Sequence, residues 1–410
     1  MVLDIAGVTS RADAEALDRA DPLAGARQAF DIPDGVIYLD GNSLGPLPRA
    51  ARDALHHAVE TEWRTDLIKS WNSADWINLP LRAGDRIAAL IGAPAGSVLA
   101  ADSVSVNLFK LAAALVTKGA GLVAVERGDF PTDGYILEGL ARLSGAGFSL
   151  IEPGAGVAGL PEEGGVLVRS AVHYKTAEIV DIEAEERAAR EHGAAIIWDL
   201  SHAVGLVDTQ LEACGATYAV GCGYKYLNGG PGAPGFVYVH PSVSGDLAQP
   251  LSGWMGHAAP FEFTDGYRAA EGIKRFAAGT PPILSMTALH AALSIYDGLD
   301  LAALQAKARA LGDLFLARIA PLELACMSPG IGEARGGHVS VRHEDGYPIV
   351  QALIEQGIIG DFRAPDLMRF GFSPLILSYA DVFDAAEALV ETVRSGRYRE
   401  ARFSRKGAVT

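Results

Sequence analysis

From about residue 84 the chain alternates short unbroken apolar runs with longer stretches whose apolar positions recur every three or four residues. The first kind reads as strands, at 97–101, 122–126, 148–151, 166–169, 195–199, 218–222 and 235–240. Helical spacing fills most of the gaps, as at 107–116, 135–143 and 182–192. Alternation of this kind predicts an α/β fold, a large doubly wound and mostly parallel sheet with its ligand site at the carboxyl ends of the strands. Before it, residues 1–80 are mixed. A charged, alanine-rich helical start leads to a short strand at 36–40 and a turn-rich loop, Gly41-Asn-Ser-Leu-Gly-Pro46. From residue 287 the texture changes again, to a helix over 287–318, a strand at 337–342, a helix at 348–356, strands at 358–363 and 368–372, and a helix over 380–394. The expected organisation is an N-terminal segment (1–80) packing on the small domain and active site, a large α/β domain (81–286) and a smaller α+β domain (287–410).

Composition narrows the class without naming a chemistry. Hydrophobic residues make up 49% and charged residues 20%, an ordinary globular balance. A formal charge of −16 argues against nucleic acid or an anionic membrane as partner. The longest apolar stretch, 111–125, is cut by Lys118 and glycines, so no bilayer span is expected. The opening residues carry acid in place of a basic leader. Cys214, Cys222 and Cys326 lack metal-type spacing, which predicts no metal, a reduced cytoplasmic setting, and cysteines that serve as core residues.

Chemistry concentrates just after the apolar runs. The run at 195–199 closes on Asp199, with His202 three residues on, and the next run leads into Tyr224-Lys225 among glycines. A lysine at the end of a buried strand, with no acid near it in sequence, can be a solvated terminus or an amine placed to form an imine with a carbonyl cofactor. An aspartate at the neighbouring strand end can be the N-cap of a helix that follows, or can pair with a protonated pyridine nitrogen. Together the two point to pyridoxal phosphate, whose chemistry needs both. Ser103-Val-Ser-Val-Asn107 fits a phosphate site at a helix N-terminus and equally a plain N-cap. Phe130 in Phe130-Pro-Thr-Asp133 can stack on a planar ring or simply start a helix. Ser170 is a hydrogen-bonding candidate or a turn residue; Trp254 and Thr280 fall in glycine- and proline-rich loops. Arg369, a lone charge in an apolar strand, wants a carboxylate, with Arg363 as its competitor.

The motifs Tyr38-Leu-Asp-Gly-Asn-Ser-Leu-Gly45, Ser103-Val-Ser-Val-Asn107, Phe130-Pro-Thr-Asp133, Asp199-Leu-Ser-His-Ala-Val-Gly205, Tyr224-Lys-Tyr-Leu-Asn-Gly-Gly-Pro-Gly232, Gly253-Trp-Met-Gly-His257 and Arg369-Phe-Gly-Phe-Ser-Pro-Leu375 together resemble the kynureninase family, in family order. The Asp199–Lys225 pair alone would say only an aspartate-aminotransferase-like (fold type I) enzyme, shared with aminotransferases and cysteine desulfurases. A desulfurase would need a nucleophilic cysteine on a mobile loop of the small domain, whereas Cys326 lies in an apolar run. The intact Asp199, Lys225 and Arg369 argue against a non-catalytic binding module of the same fold. The resemblance implies a homodimer that cleaves L-kynurenine, or 3-hydroxy-L-kynurenine, to anthranilate or its hydroxy form and L-alanine in tryptophan catabolism. It implies Lys225 as the Schiff-base lysine, with Val104, Ser105, Tyr224, Trp254 and Thr280 on the phosphate, the last two from the other subunit. Phe130 would stack on the ring, Asp199 would pair with its nitrogen, and Asp133, Ser170 and His202 would complete its hydrogen bonding. Arg369 would hold the substrate carboxylate and Trp71 would line the aryl pocket. Ile376 stands where the family often has an aromatic. Trp71 and Thr280, in place of histidine and asparagine, resemble the bacterial type that prefers the unhydroxylated substrate.

Overall fold

The computed structural model describes residues 5–405 and residue 407. The chain forms two units: one built from the chain up to Arg49, Lys175–Ile179 and the chain from Ile295, the other from Ala50–Tyr174 and Val180–Ser294. After a short strand in the first unit, β1 (Ile37–Tyr38), the second unit supplies β2 (Val98–Ala100), β3 (Leu122–Glu126), β4 (Gly147–Ile151), β5 (Val166–Ser170), β6 (Ala195–Asp199), β7 (Tyr218–Gly221) and β8 (Phe236–Val239). They form one seven-stranded sheet in the order β2-β8-β7-β6-β5-β3-β4. The pairs from β7 to β4 are parallel, and β8 runs antiparallel to both β7 and β2. The expected alternation is therefore present, and each strand lies within two residues of its expected limits.

Central strands of such a sheet are covered on both faces, which is why they read as continuous apolar runs. Val123, Val125, Val166, Val168, Ile197, Val220 and Val237 pack with Leu108 and Leu111 of helix Val104–Lys118 and Leu137 and Leu140 of helix Pro131–Ser144. Helix Leu79–Ile91 lies so close to β2 that a Cβ on Gly84 would stand 2.1 Å from the Val98 carbonyl oxygen. Only glycine fits there.

The first unit holds β9 (Ala325–Cys326), β10 (His338–Arg342), β11 (Ile358–Ile359), β12 (Asp361–Arg363) and β13 (Leu367–Gly371). Four of these make an antiparallel sheet, β12-β13-β10-β9, while β1 pairs in parallel with β11. Helices Leu301–Ile319 and Tyr379–Ser395 pack together, and Phe315 meets Phe370 with ring centroids 4.8 Å apart. The single helix expected over 287–318 is two: Ile283–Ala292 runs into a 3-10 turn, Leu293–Tyr296, and Leu301–Ile319 starts afresh on an Asp300 cap. The apolar spacing carries across the break, but Asp300 accepts the Ala302 N–H and restarts the helix.

The cysteines correct a second expectation. Cys222 is buried, but Cys326 is exposed, on a two-residue edge strand paired only to β10, and Cys214 is half-buried. No helix among the described residues is long and apolar enough to cross a membrane, and no group of three or more His, Cys, Asp or Glu among them is arranged to hold a metal.

Candidate active site

Five strands of the large sheet deliver side chains to one cavity of about 150 Å³, several times the space of a water molecule. It lies beyond their carboxyl ends, where such sheets bind ligands. After β7 come Cys222, Tyr224 and Lys225; after β6 come Ser201 and His202, with Asp199 at its last position. Ser170 ends β5 directly beside Asp199 in the parallel ladder. The segment after β3 adds Phe130, Thr132 and Asp133, and the segment after β2 adds Ser103, Val104 and Ser105.

Lys225 is half-buried on the cavity wall, and its Nζ lies 2.8 Å from His202 Nε2. Asp199 is buried, and one carboxylate oxygen accepts the Ser201 N–H at 2.8 Å. The expected helix after Asp199 is instead an irregular turn over residues 201–207, so Asp199 is no N-cap: its carboxylate braces that turn and lines the cavity. Asp133 sits almost wholly buried, its Oδ2 without a hydrogen-bond partner. Burial pushes its carboxyl well above the ordinary aspartate value, the charges of Asp199 and Asp129 push the same way, and Lys225 opposes them. Burial likewise raises Asp129, which receives the Ser170 N–H at 3.5 Å. Three acids gathered behind one lysine leave room for a further positive charge.

At the other side, Ser103 caps helix Val104–Lys118 by accepting the Val106 N–H at 3.4 Å, and the helix N-terminus faces the cavity through Val104 and Ser105. A Cβ on Gly235 would stand 3.0 Å from the Val104 nitrogen, so the glycine leaves those N–H groups uncovered. Burial first, then Cys222 and Asp199, raises the Tyr224 phenol far above its usual value and keeps it a donor.

Sequence reasoning passed over Tyr174. Its ring meets Phe130 edge-on at 5.3 Å and 88°, and it lines the same cavity. The signal was available, an aromatic just past the β5 end in Ser170-Ala-Val-His-Tyr174.

Three candidates in this unit stand apart from the cavity. Trp71, in the short helix Ser70–Ser73, packs edge-on against Trp76 at 5.9 Å. Trp254 packs against Phe261 and Phe263, and Thr280 is exposed on the approach to helix Ile283–Ala292. Arg369 belongs to the other unit. It is buried on β13 and grips Asp361 with two nitrogens, Nε to Oδ1 at 2.8 Å, while its third contact is Ser43 Oγ at 3.2 Å. Arg363 reaches the same carboxylate at 2.8 Å from an exposed position. Burial works to raise the Asp361 carboxyl, but Arg369, Arg363 and Ser43 hold it below the ordinary value. The carboxylate that Arg369 needs is thus partly supplied from within the chain. Beside them, burial and Asp361 push Asp40 up to about 7.

A kynureninase from Pseudomonas fluorescens is 42% identical over 416 residues, which takes in 98% of this chain and 100% of the relative. One from Burkholderia pseudomallei is 42% identical over 414 residues, with the same coverage. The chain belongs to the kynureninase family. The family description "Kynureninase C-terminal domain" matches residues 304–389. Among solved structures, a cysteine desulfurase from Thermococcus onnurineus superposes with TM-score 0.78 at 18% identity, over 91% of this chain and 98% of that one. The cystine lyase C-DES, solved with glycine covalently linked to its PLP cofactor, gives 0.78 at 16%, over 88% and 98%. These likenesses are of fold, the fold type I, aminotransferase class V-like architecture, and kynureninase membership rests on the sequence relatives. That matters for the desulfurase alternative, because the exposed Cys326 no longer argues against it and the full-length relatives do.

Proposed function

We propose that this kynureninase-family chain is a pyridoxal-phosphate enzyme that hydrolyses L-kynurenine to anthranilate and L-alanine. The observation that carries the cofactor is the single cavity joining Lys225, the acids Asp199 and Asp133, and an open helix N-terminus. Asp133 Oδ2, buried without a partner, and the Val104 N–H that Gly235 leaves room beside are features that the cofactor's polar groups and its phosphate would complete. When bound, pyridoxal phosphate supplies an electron sink that eases ionisation of the bonds at Cα and Cβ. Val104, Ser105 and Tyr224 would hold the phosphate, Asp199 the ring nitrogen, and Phe130 the ring face, braced by Tyr174. Asp133, Ser170 and His202 would complete the hydrogen bonding.

The chain's own groups then divide the proton work. Lys225 Nζ, steadied by His202, would take the proton from the substrate's Cα. Tyr224, held as a phenol, can donate toward the side-chain ketone oxygen. The products fix the balance: one water is consumed, its oxygen ending on the aryl carboxylate and a proton ending on the methyl group of alanine.

The purified holoenzyme is expected to release anthranilate and alanine from L-kynurenine, with higher kcat/KM than for the 3-hydroxy compound. Absence of both products defeats the reading, and a lead for the hydroxylated substrate defeats the preference drawn from Trp71 and Thr280. We place the enzyme in the cytoplasm as a homodimer, in which Trp254 and Thr280 would serve the partner's cavity, since neither lines this chain's own. Sedimentation of the purified protein checks the dimer.

Arg369 would bind the substrate carboxylate. Its truncation is expected to lower kcat/KM about a hundredfold or more, the cost of removing a buried charged partner. Arg363→Ala, at an exposed site, is expected to cost much less. Steady-state kinetics on both variants decides the assignment, and the reverse order would move the role to Arg363.

A further inference from the structure

Lys110 is fully buried midway along helix Val104–Lys118. It lies six residues past Val104, about 9 Å up the axis. Its Nζ donates to Asp102 Oδ2 at 2.7 Å and to the Phe276 carbonyl at 2.5 Å. Burial lowers the lysine's pKa and the Asp102 charge opposes that. An apolar side chain would pack this core without the desolvation penalty of a buried ion pair. What the pair achieves is read from where its partners sit.

Asp102 forms the turn between β2 and the helix, and its φ is +46°. Its carbonyl accepts the Gly235 N–H at 2.7 Å. Asn107, also fully buried, donates to the Ala101 carbonyl at 2.6 Å. Two side chains of the helix thus reach back and tie down the turn that opens it. Phe276 closes the 3-10 turn Gly272–Phe276, from which the chain passes directly to Thr280, and Asp102 and Thr280 line one small pocket. Lys110 therefore joins the segment carrying Val104 and Ser105 to the segment carrying Thr280.

We propose that Lys110 is a positioning residue for cofactor phosphate: it clamps the left-handed turn at Asp102 to the Phe276 carbonyl and so fixes the helix N-terminal N–H groups and the approach to Thr280. The proposal rests on the pyridoxal phosphate reading above. Without the clamp a non-glycine turn in this conformation is free to relax, and binding must then pay for ordering the N–H groups.

The test is a titration of pyridoxal phosphate into cofactor-free, full-length protein, followed by visible absorbance. Lys110→Met keeps the length of the side chain without its charge and is expected to weaken cofactor binding about ten- to a hundredfold, the usual cost of losing the support behind a binding group. At saturating cofactor, kcat should fall less than the affinity does. Asp102→Asn separates position from charge. It cannot make the phosphate's surroundings more negative, so a charge effect leaves binding equal or tighter, whereas a lost clamp weakens it. Unchanged cofactor affinity in the folded variants, even with a lowered melting temperature, overturns the proposal, as does tighter binding in Asp102→Asn. Should Lys110→Met fail to fold, the near-isosteric Asp102→Asn still decides. Wild-type protein that binds the cofactor but yields no anthranilate defeats only the proposed reaction, while wild-type protein with no affinity for the cofactor defeats both.

Discussion

Replacing Lys225 with alanine is expected to abolish L-kynurenine turnover and the covalent attachment of cofactor together. The side chain has two tasks in the proposed reaction, and no neighbour can inherit either. As the base at Cα it is worth about 10²–10⁴ in rate on its own. Its other task, the link to a carbonyl cofactor, needs a primary amine, and that of Lys110, on the helix whose N-terminus faces the cavity, is sealed against Asp102 and Phe276. His202 would survive the substitution but offers an imidazole, held 2.8 Å from the missing Nζ. Lys225→Arg separates charge from chemistry: it keeps the cation beside Asp133, yet a guanidinium stays protonated and neither links nor accepts a proton. Both variants should fold, because Lys225 lies half-buried on a cavity wall and not in the core. Borohydride reduction followed by peptide mass analysis should find the cofactor on the Lys225 peptide of the wild-type protein alone. Attachment surviving in Lys225→Ala, or turnover surviving in either variant, would overturn the assignment.

What was legible in the sequence follows from which physical constraint left a local trace. Buried parallel strands need apolar side chains on both faces, so β5, β6 and β7 stood out as runs, and Ser170, Asp199 and Lys225 followed from their ends. Features set by long-range packing left weaker marks. Cys326 sits in an apolar run that reads as core, yet its strand is two residues long at a sheet edge, and no local pattern distinguishes the two. A lone Arg369 in an apolar strand calls for a carboxylate, and the sequence does not reveal that Asp361, eight residues earlier and across a β-ladder, meets that need in part. Burial of Lys110 was invisible for the same reason: Asp102 is close in sequence, but the Phe276 carbonyl that closes the clamp is 166 residues away.

Asp199→Asn is expected to lower kcat for L-kynurenine by roughly 10³-fold while leaving the protein folded, the scale seen when one preorganised electrostatic partner is removed from a water-poor site. The argument turns on how the three acids share charge. Asp133 is raised by burial and by the negative charges of Asp199 and Asp129, so the folded protein holds a proton there that the unfolded chain releases at a lower pH. Stability from that site is therefore present below the ordinary aspartate range and declines as pH climbs from it toward the folded value. A protonated ring nitrogen arriving beside Asp199 reverses the balance by giving the cluster a cation. Neutralising Asp199 withdraws the carboxylate that keeps that nitrogen protonated, and also part of the repulsion that lifts Asp133. Asp133 then sits closer to its ordinary value, so it retains some attraction for the ring, and cofactor binding should weaken far less than turnover. Asp199→Glu keeps the charge on a longer arm and should recover part of the rate. Full activity in Asp199→Asn, with Asp133→Asn the more damaging change, would transfer the ring-nitrogen role to Asp133.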